Sequence, residues 1–330
     1  MILVYTLEND YLMASGALPG AELPANAVWV DLVNPTREED LQTENWTKAT
    51  IPTHEDMVEI EESSRFYAEN GAQYLTASIL HSTDQKHQGI APVTFILTGQ
   101  LLVTVRYTEP KAFNLFINRV TKPGNGIITG KCTGVTILLG LIEAVTDRIA
   151  DILENAAGEI DVHSHAIFRR SENDRPMTTK NFRDSLTRIG GQGAFLSKVR
   201  ESIAGVSRLL VYMAAMTEQN VNKKETRAWI KSLERDTQSL GAYVDFLSNK
   251  ITFLLDTVVG LISIEQNAII KIFSVAAVAF MPPTLVASIY GMNFEFMPEL
   301  KETWGYPMAI GVMVASAIIP LLIFRKKGWL

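Results

Sequence analysis

Residues Ser263–Asn293 read SIEQNAIIKIFSVAAVAFMPPTLVASIYGMN, and after Lys271 no charged residue appears until Glu295. At about 1.5 Å rise per residue, an uncharged run of this length crosses the ~30 Å hydrocarbon layer of a bilayer. The stretch is therefore expected to be a transmembrane helix. With ~100° between successive residues, Asn267, Ser274, Thr284 and Ser288 share one side, and Ile270, Ala277 and Met281 fill the places between them. Ile272, Val275, Ala279, Pro283 and Val286 occupy the other side. Counting backwards, Ser263, Asp256, Thr252, Asn249 and Asp245 also project on the polar side. Such a stripe serves either helix packing, where Ser, Thr and Ala are common, or a watery path. Pro282 and Pro283 lack amide hydrogens and so free the carbonyls of Val278 and Ala279. Freed carbonyls are tolerated at membrane depth where neighbouring helices or water satisfy them.

A second uncharged run, Thr303–Phe324, begins with Trp304 and Tyr306 at an expected interface and ends at Arg325-Lys326-Lys327. Basic residues favour the cytoplasmic side. Two crossings then place both termini, and everything before residue 263, in the cytoplasm of a bacterial-type inner (plasma) membrane.

The preceding part divides in two. Residues 1–130 carry short β-rich runs at Met1–Leu7, Val28–Val33, Gln73–Leu80, Val93–Leu97 and Leu101–Tyr107. Thr98-Gly99-Gln100 between the last two suggests a hairpin, and Asn34-Pro35-Thr36 before Arg37-Glu38-Glu39-Asp40 reads as a helix start. Interleaved strands and helices predict an α/β domain. Asp56, Glu59, Glu61 and Glu62 read as a solvated helix face.

Residues 131–262 are expected to be helical. Thr133–Phe168 carries Glu143, Asp147, Asp151 and Glu154 on one face, an arrangement that needs basic neighbours such as Arg169, Arg170 and Arg183, or collected cations. Asn173-Asp174-Arg175-Pro176 breaks the pattern, and Gly190-Gly191-Gln192-Gly193 is read as opening a helix to about Val221. Apolar heptads from Trp229 to Tyr290 predict one helix on the order of 90 Å long. Such a helix needs neighbours along its length, and identical copies around an axis would supply them. His163 and His165, two apart, diverge on a helix and make a poor metal pair.

The single cysteine, Cys132, permits no internal disulfide and fits a reducing compartment. The opening MILVYTLEND does not resemble a secretion signal. A net charge of −6 argues against nucleic-acid binding. There is no GxxxxGK[ST] phosphate loop, so no nucleotide-driven transport is expected. No nucleophile–base set or metal-ligand motif suggests an enzyme, and no organic cofactor is expected.

Between the two apolar runs stands Tyr290-Gly291-Met292-Asn293, followed by Phe294-Glu295-Phe296-Met297-Pro298-Glu299-Leu300. Here the chain resembles the CorA family of magnesium transport channels, whose signature is Gly-Met-Asn at the outer end of the first membrane helix. The resemblance extends to Ile264-Glu265-Gln266-Asn267, to the final Lys326-Lys327-Gly328-Trp329-Leu330, and to Pro52-Thr53-His54-Glu55-Asp56-Met57 and Glu61-Glu62-Ser63-Ser64-Arg65.

The resemblance implies an α/β cytosolic domain with a long-helix stalk and two transmembrane helices, assembled as a homopentameric funnel-type channel. The divisions are then 1–130 and 131–262 in the cytosol, 263–293 as the pore-lining helix, 294–302 as the outer loop, 303–325 as the second crossing and 326–330 as a basic tail. It implies a selectivity filter at Gly291, Met292 and Asn293. The pore would be lined by Asn267, Ile270, Ser274, Ala277, Met281, Thr284 and Ser288, with Asp256 as an inner acidic ring. Mg²⁺ holds its water tightly, so the filter would accept hydrogen bonds from the hydrated ion. Met281 would close by dewetting. Glu295 and Glu299 in the loop would concentrate cations. An inside-negative potential of 100 mV favours entry of a divalent ion by about 4.6 kcal/mol. Family members also bind regulatory Mg²⁺ between cytosolic domains, for which Asp84 and Asp236 are the corresponding pair. A related branch carries Co²⁺, Ni²⁺ or Zn²⁺, but the stripe holds oxygens and a thioether without His or Cys, which favours a hard cation. A two-helix membrane-anchored receptor or structural protein is the reading from another class.

Overall fold

The computed structural model describes the chain except residues 60, 82–88, 129–131, 169–178, 219–223, 294, 296 and 329–330. The chain divides into two compact units, Met1–Leu254 and Leu255–Leu330.

The first unit is built on seven strands: β1 Ile2–Glu8, β2 Tyr11–Gly16, β3 Ala27–Val33, β4 Phe66–Glu69, β5 Ala72–His81, β6 Gly89–Thr98 and β7 Leu101–Arg106. They form one sheet in the order β2-β1-β3-β7-β6-β5-β4. Every neighbouring pair is antiparallel except β3 and β7, which run parallel with Trp29 opposite Leu102 and Val33 opposite Arg106. The expected β6–β7 hairpin turns at Gly99 with φ 57°. Alternation along β3 separates two buried faces. Val30 and Leu32 join Val103, Val105, Ile51 and Met57 in one core cluster. Trp29 and Asp31 point the other way, where the Trp29 ring stacks on Tyr5 at 4.1 Å and meets Phe116 edge-on at 6.0 Å.

Short helices close the first face. Helix α1 (Arg37–Thr47) starts where the sequence predicts, with Thr36 as N-cap in a reciprocal capping box with Glu39. Helix α2 (His54–Val58) is capped the same way by Thr53 and Asp56. The expected acidic helix face is corrected here. Asp56 is spent on that cap, with its carboxylate 2.9 Å from the Thr53 amide and 2.7 Å from its hydroxyl. Those bonds hold its pKa below the usual range. Glu59 ends α2, and Glu62 opens a separate turn, α3 (Glu62–Arg65). Helix α4 (Lys111–Val120), which the sequence reading missed, buries Phe113 and Phe116 on the other face.

Two long helices follow, α5 (Gly134–Phe168) and α6 (Thr179–Glu218). The first matches its expected bounds. The second does not begin at the glycines: Gly190, Gly191 and Gly193 lie inside it. Leu196, Val199, Ile203 and Val206 are buried along α6, and that packing outweighs the helix-weakening effect of glycine. The expected break at residues 173–176 and the basic pair Arg169 and Arg170 lie outside the described residues. Helix α7 runs unbroken from Lys224 to Tyr290, 67 residues, or roughly 100 Å at the standard rise. Its first half pairs with α6 and α5 through Arg200–Asp245 at 2.5 Å, the Lys250–Asp161 ion pair and the Phe168–Phe253 stack at 5.9 Å. Asp245, expected on the polar stripe, is thus taken up by α6. Burial pushes the Cys132 thiol up to about 12, so this thiol stays protonated and inert.

The second unit holds the rest of α7, a 3₁₀ turn at Pro298–Lys301 and α8 (Gly305–Lys326). Both helices carry 18-residue stretches of mean hydropathy 1.9 and 2.3, and only 6% of each stretch is buried within the chain. Apolar helices so uncovered are not core helices of a soluble domain; lipid or further protein must cover them.

Candidate functional site: the exposed stripe and its outer turn

Within the second unit, burial follows helical spacing along α7. Val275 is buried, and Ala276, Ala279, Pro282, Pro283, Val286 and Tyr290 are half-buried. On α8, Gly305 and Ala309 are buried and Met313, Ala317, Pro320 and Phe324 half-buried, again at steps of three and four. The Lys271 Nζ donates to the Gly328 carbonyl at 3.4 Å, tying the end of α8 back to α7. So α8 covers the apolar side of α7, and Ile272, at 68% exposed, escapes that cover.

The other side is open. Asn267, Ile270, Ser274, Ala277, Met281, Thr284 and Ser288 are all exposed, nearly opposite the covered residues around the helix. Asp256, lower on α7, is exposed as well. The stripe therefore does not serve packing within the chain.

Its hydroxyls have a defined polarity. Ser274 Oγ donates to the Ile270 carbonyl and Thr284 Oγ1 to the Phe280 carbonyl, both at 2.8 Å. With the hydrogen engaged on its own helix, each oxygen turns only lone pairs outward. Water bound to a cation presents only hydrogens to its surroundings, so acceptors are what a hydrated cation needs.

At its C-terminal end α7 stops at Tyr290. The Gly291 amide bonds to the Ala287 carbonyl at 2.9 Å and the Met292 amide to Ile289 at 3.2 Å. Asn293 is exposed, and among the described residues no helix-capping bond holds its amide. Glu295 is exposed and Glu299 half-buried. Glu299 sits in the 3₁₀ turn, whose backbone approaches Gly305 so closely that a Cβ there would overlap the Glu299 carbonyl oxygen. The loop is thereby clamped to the start of α8.

The expected regulatory residues are Asp84 and Asp236. Asp84 lies outside the described residues. Asp236 is exposed on α7 within electrostatic reach of Glu143 and Asp147 on α5. Burial, then the neighbouring carboxylate, raises the pKa of both, and Arg119 opposes the rise. Arg119 thus does what Arg183 was expected to do. Among the described residues no group of three His, Cys, Asp or Glu side chains is arranged to hold a metal.

A family model and curated relatives point to one family, and solved structures share the fold. The family model described as CorA-like Mg²⁺ transporter protein matches residues 24–326. The chain is 34% identical over 304 residues to the magnesium transport protein CorA of Haemophilus influenzae, covering 92% of each. It is 33% identical to that of Escherichia coli K12 over 330 residues, covering all of both. Its fold resembles the complete CorA magnesium transporter from Methanocaldococcus jannaschii, with TM-score 0.79 and 18% identity over 100% of this chain and 99% of that one. It also resembles the full-length CmaX protein, with TM-score 0.72 and 12% identity over 100% and 98%.

Proposed function

The chain belongs to the CorA-like Mg²⁺ transporter family, and from that premise we propose that the exposed stripe of α7 lines a water-filled path for hydrated Mg²⁺. It is a membrane transporter and not an enzyme. The observation that carries the proposal is the opposition of two faces: α8 covers the apolar side of α7, while the oxygen-bearing side stays open in the single chain. An open polar stripe at membrane depth needs a polar partner. Copies of the same helix around a common axis supply water between them, and a homopentamer is the assembly we propose.

In that arrangement Asn293 from each copy forms an amide ring at the outer mouth, joined by the Gly291 carbonyl, with Met292 in the same turn. Glu295 and Glu299 raise the local cation concentration. Below, Ser288, Thr284, Ser274 and Asn267 offer acceptors, Met281 and Ile270 make the apolar constrictions, and Asp256 forms an acidic ring. The basic end of α8 lies in the cytoplasm of the inner membrane, and the membrane potential draws the ion inward. Asp236 contributes to closure when intracellular Mg²⁺ is plentiful, with Asp84 as its proposed counterpart.

Purified protein in liposomes, with Mg²⁺, Co²⁺ and Zn²⁺ compared side by side, tests the proposal. Mg²⁺ entry is expected for the parent. Asn293→Ala is expected to abolish or strongly reduce it while leaving the assembled size unchanged on gel filtration. Undiminished entry in that variant would remove the amide ring, and no entry in the parent would leave the two helices as anchors. Asp236→Ala is expected to weaken inhibition by internal Mg²⁺; an unchanged dependence would exclude Asp236.

A further inference from the structure

Helix α8 has a second side that transport does not use. Its α7-facing side carries Gly305, Ala309, Met313, Ala317, Pro320 and Phe324. At ~100° per residue, Ile318 and Leu322 fall nearly opposite, 48% and 59% exposed, with Ile319 beside them at 56%. The next steps of three and four from Leu322 reach Arg325 and Lys326. Both are exposed, one on either side of the same line. The far face of α8 is thus an apolar track with two cations at its foot.

These cations are not spent within the chain. Basic side chains often serve the last carbonyls of a helix, but here the Ile323 and Arg325 carbonyls accept from the Lys327 and Gly328 amides, at 3.0 and 3.1 Å. Gly328, with φ 70°, closes that turn. Among the described residues neither Arg325 nor Lys326 makes an ion pair. No carboxylate side chain lies on α8 to neutralise them.

An apolar track ending in two cations has the layout of one phospholipid, acyl chain along the track and phosphate at its foot. Long basic side chains run their stems along apolar surface and set the charge in the headgroup layer. A guanidinium takes two phosphate oxygens in a planar fork. A zwitterionic headgroup brings its own cation to the same place, so two protein cations favour a headgroup of net negative charge. Because α8 lies across α7 from the stripe, this face points away from the axis of any ring built on the stripe and stays open to lipid.

We propose that the far face of α8 holds an anionic phospholipid, with its phosphate on Arg325 and Lys326 and an acyl chain along Ile318 and Leu322. This site needs the second unit to cross a membrane, but no residue of the transport path.

The test uses the full chain in detergent, titrated with dioleoyl phosphatidylglycerol or dioleoyl phosphatidylcholine and read by native mass spectrometry as lipid bound per subunit. The parent is expected to hold phosphatidylglycerol at least about tenfold more tightly. Arg325→Gln and Lys326→Gln are each expected to lose about fivefold of that preference. Arg325→Lys keeps the charge and is expected to hold the anionic lipid more tightly than Arg325→Gln. Lys301→Gln, which removes an exposed cation from the turn before α8, is expected to change nothing, and gel filtration reports that every variant keeps its assembled size. Equal affinity of the parent for the two lipids overturns the proposal. So does a parent-like preference when both Gln substitutions are combined, or an equal loss in Lys301→Gln, which would leave only a general attraction between charges. Displacement of the lipid by soluble glycerol 3-phosphate at about 1 mM would also overturn it, leaving a phosphate site without an acyl track. Mg²⁺ flux is measured separately, and its absence in the parent would remove the transport path without touching the lipid site.

Discussion

Arg106 closes a two-pronged ion pair on Asp31, with Nη2 2.8 Å from Oδ2 and Nε 3.1 and 3.2 Å from the two carboxylate oxygens. Both side chains are almost fully buried, on the parallel strands β7 and β3. Around them, Thr104 donates to Asp31 at 2.6 Å, Trp29 donates to Thr104 at 2.9 Å, and Arg106 Nη1 reaches the Thr108 carbonyl at 2.9 Å. The guanidinium also lies 5.1 Å from the Phe113 ring centre. A buried pair of this kind specifies one arrangement, because either partner left alone is an uncompensated charge. Arg106→Met is expected to cost about 3–5 kcal/mol of stability, while adding Asp31→Val is expected to restore part of it. Thermal melting of the single and double variants checks this; a double variant no better than the single would show that the pair is not the source of the loss.

Gly305 sets the loop between α7 and α8. A Cβ at this position would overlap the backbone oxygen of Glu299, which cannot move like a side-chain tip. Gly305→Ala should therefore push the 3₁₀ turn off α8 at a cost of about 1–3 kcal/mol. The expected result is slower Mg²⁺ entry in liposomes with the melting of the first unit unchanged, since none of its contacts are touched. Entry at the parental rate would mean that the position of Glu299 is irrelevant to transport.

The carboxylates on α5 give a pH dependence of known sign. Burial first, then repulsion from Asp147 on Glu143 and from Asp151 on Asp147, raises the pKa of both. Their charged forms thus oppose folding at neutral pH, and the penalty disappears as pH falls through the raised values. Asp147→Asn should melt higher than the parent at pH 7, with the difference vanishing below the ordinary carboxylate range near pH 4. Added Mg²⁺ should narrow the gap at pH 7 by screening the same charges. A variant less stable than the parent at pH 7 would reverse the sign and exclude the repulsion.

Much of this architecture was legible because it rests on periodicity. From Trp229 to Tyr290 α7 keeps one apolar rhythm, and Thr36 announces a helix start through a cap that is local in sequence. The edge strands were not read, for different reasons. Strand β2 leaves Met13–Gly16 exposed, so it shows no inward alternation. Strand β4 is only four residues long, yet the Asn70-Gly71 turn that returns it to β5, with φ 51° and 80°, is a recognised hairpin signal that could have revealed it. Helix α4 begins after Pro110 with no side-chain cap to mark it. The glycines of α6 misled because only the fold shows Gly193 against Ile251. The α7 stripe was visible in the sequence, but its separation from the α8 contact became visible only with burial.

That separation leads to the most direct test of the path. Thr284 is exposed on the stripe and spends its hydroxyl hydrogen on the Phe280 carbonyl at 2.8 Å. What it turns outward is an acceptor, matched to the hydrogens of metal-bound water. Thr284→Val keeps the branched shape and removes the acceptor, whereas Thr284→Ser keeps the acceptor and removes a methyl group. If hydrated Mg²⁺ passes this level, Val should slow entry by roughly fivefold or more, the equivalent of about 1 kcal/mol for a lost hydrogen bond, and Ser should stay near the parent. Ser274→Ala, one acceptor deeper, should act in the same direction. A packing role predicts the reverse order, because Val fills the Thr284 space and Ser does not. Liposome flux for the three variants, at equal incorporation, therefore separates an aqueous face from a protein contact, and a Val variant that conducts like the parent would place the ion elsewhere.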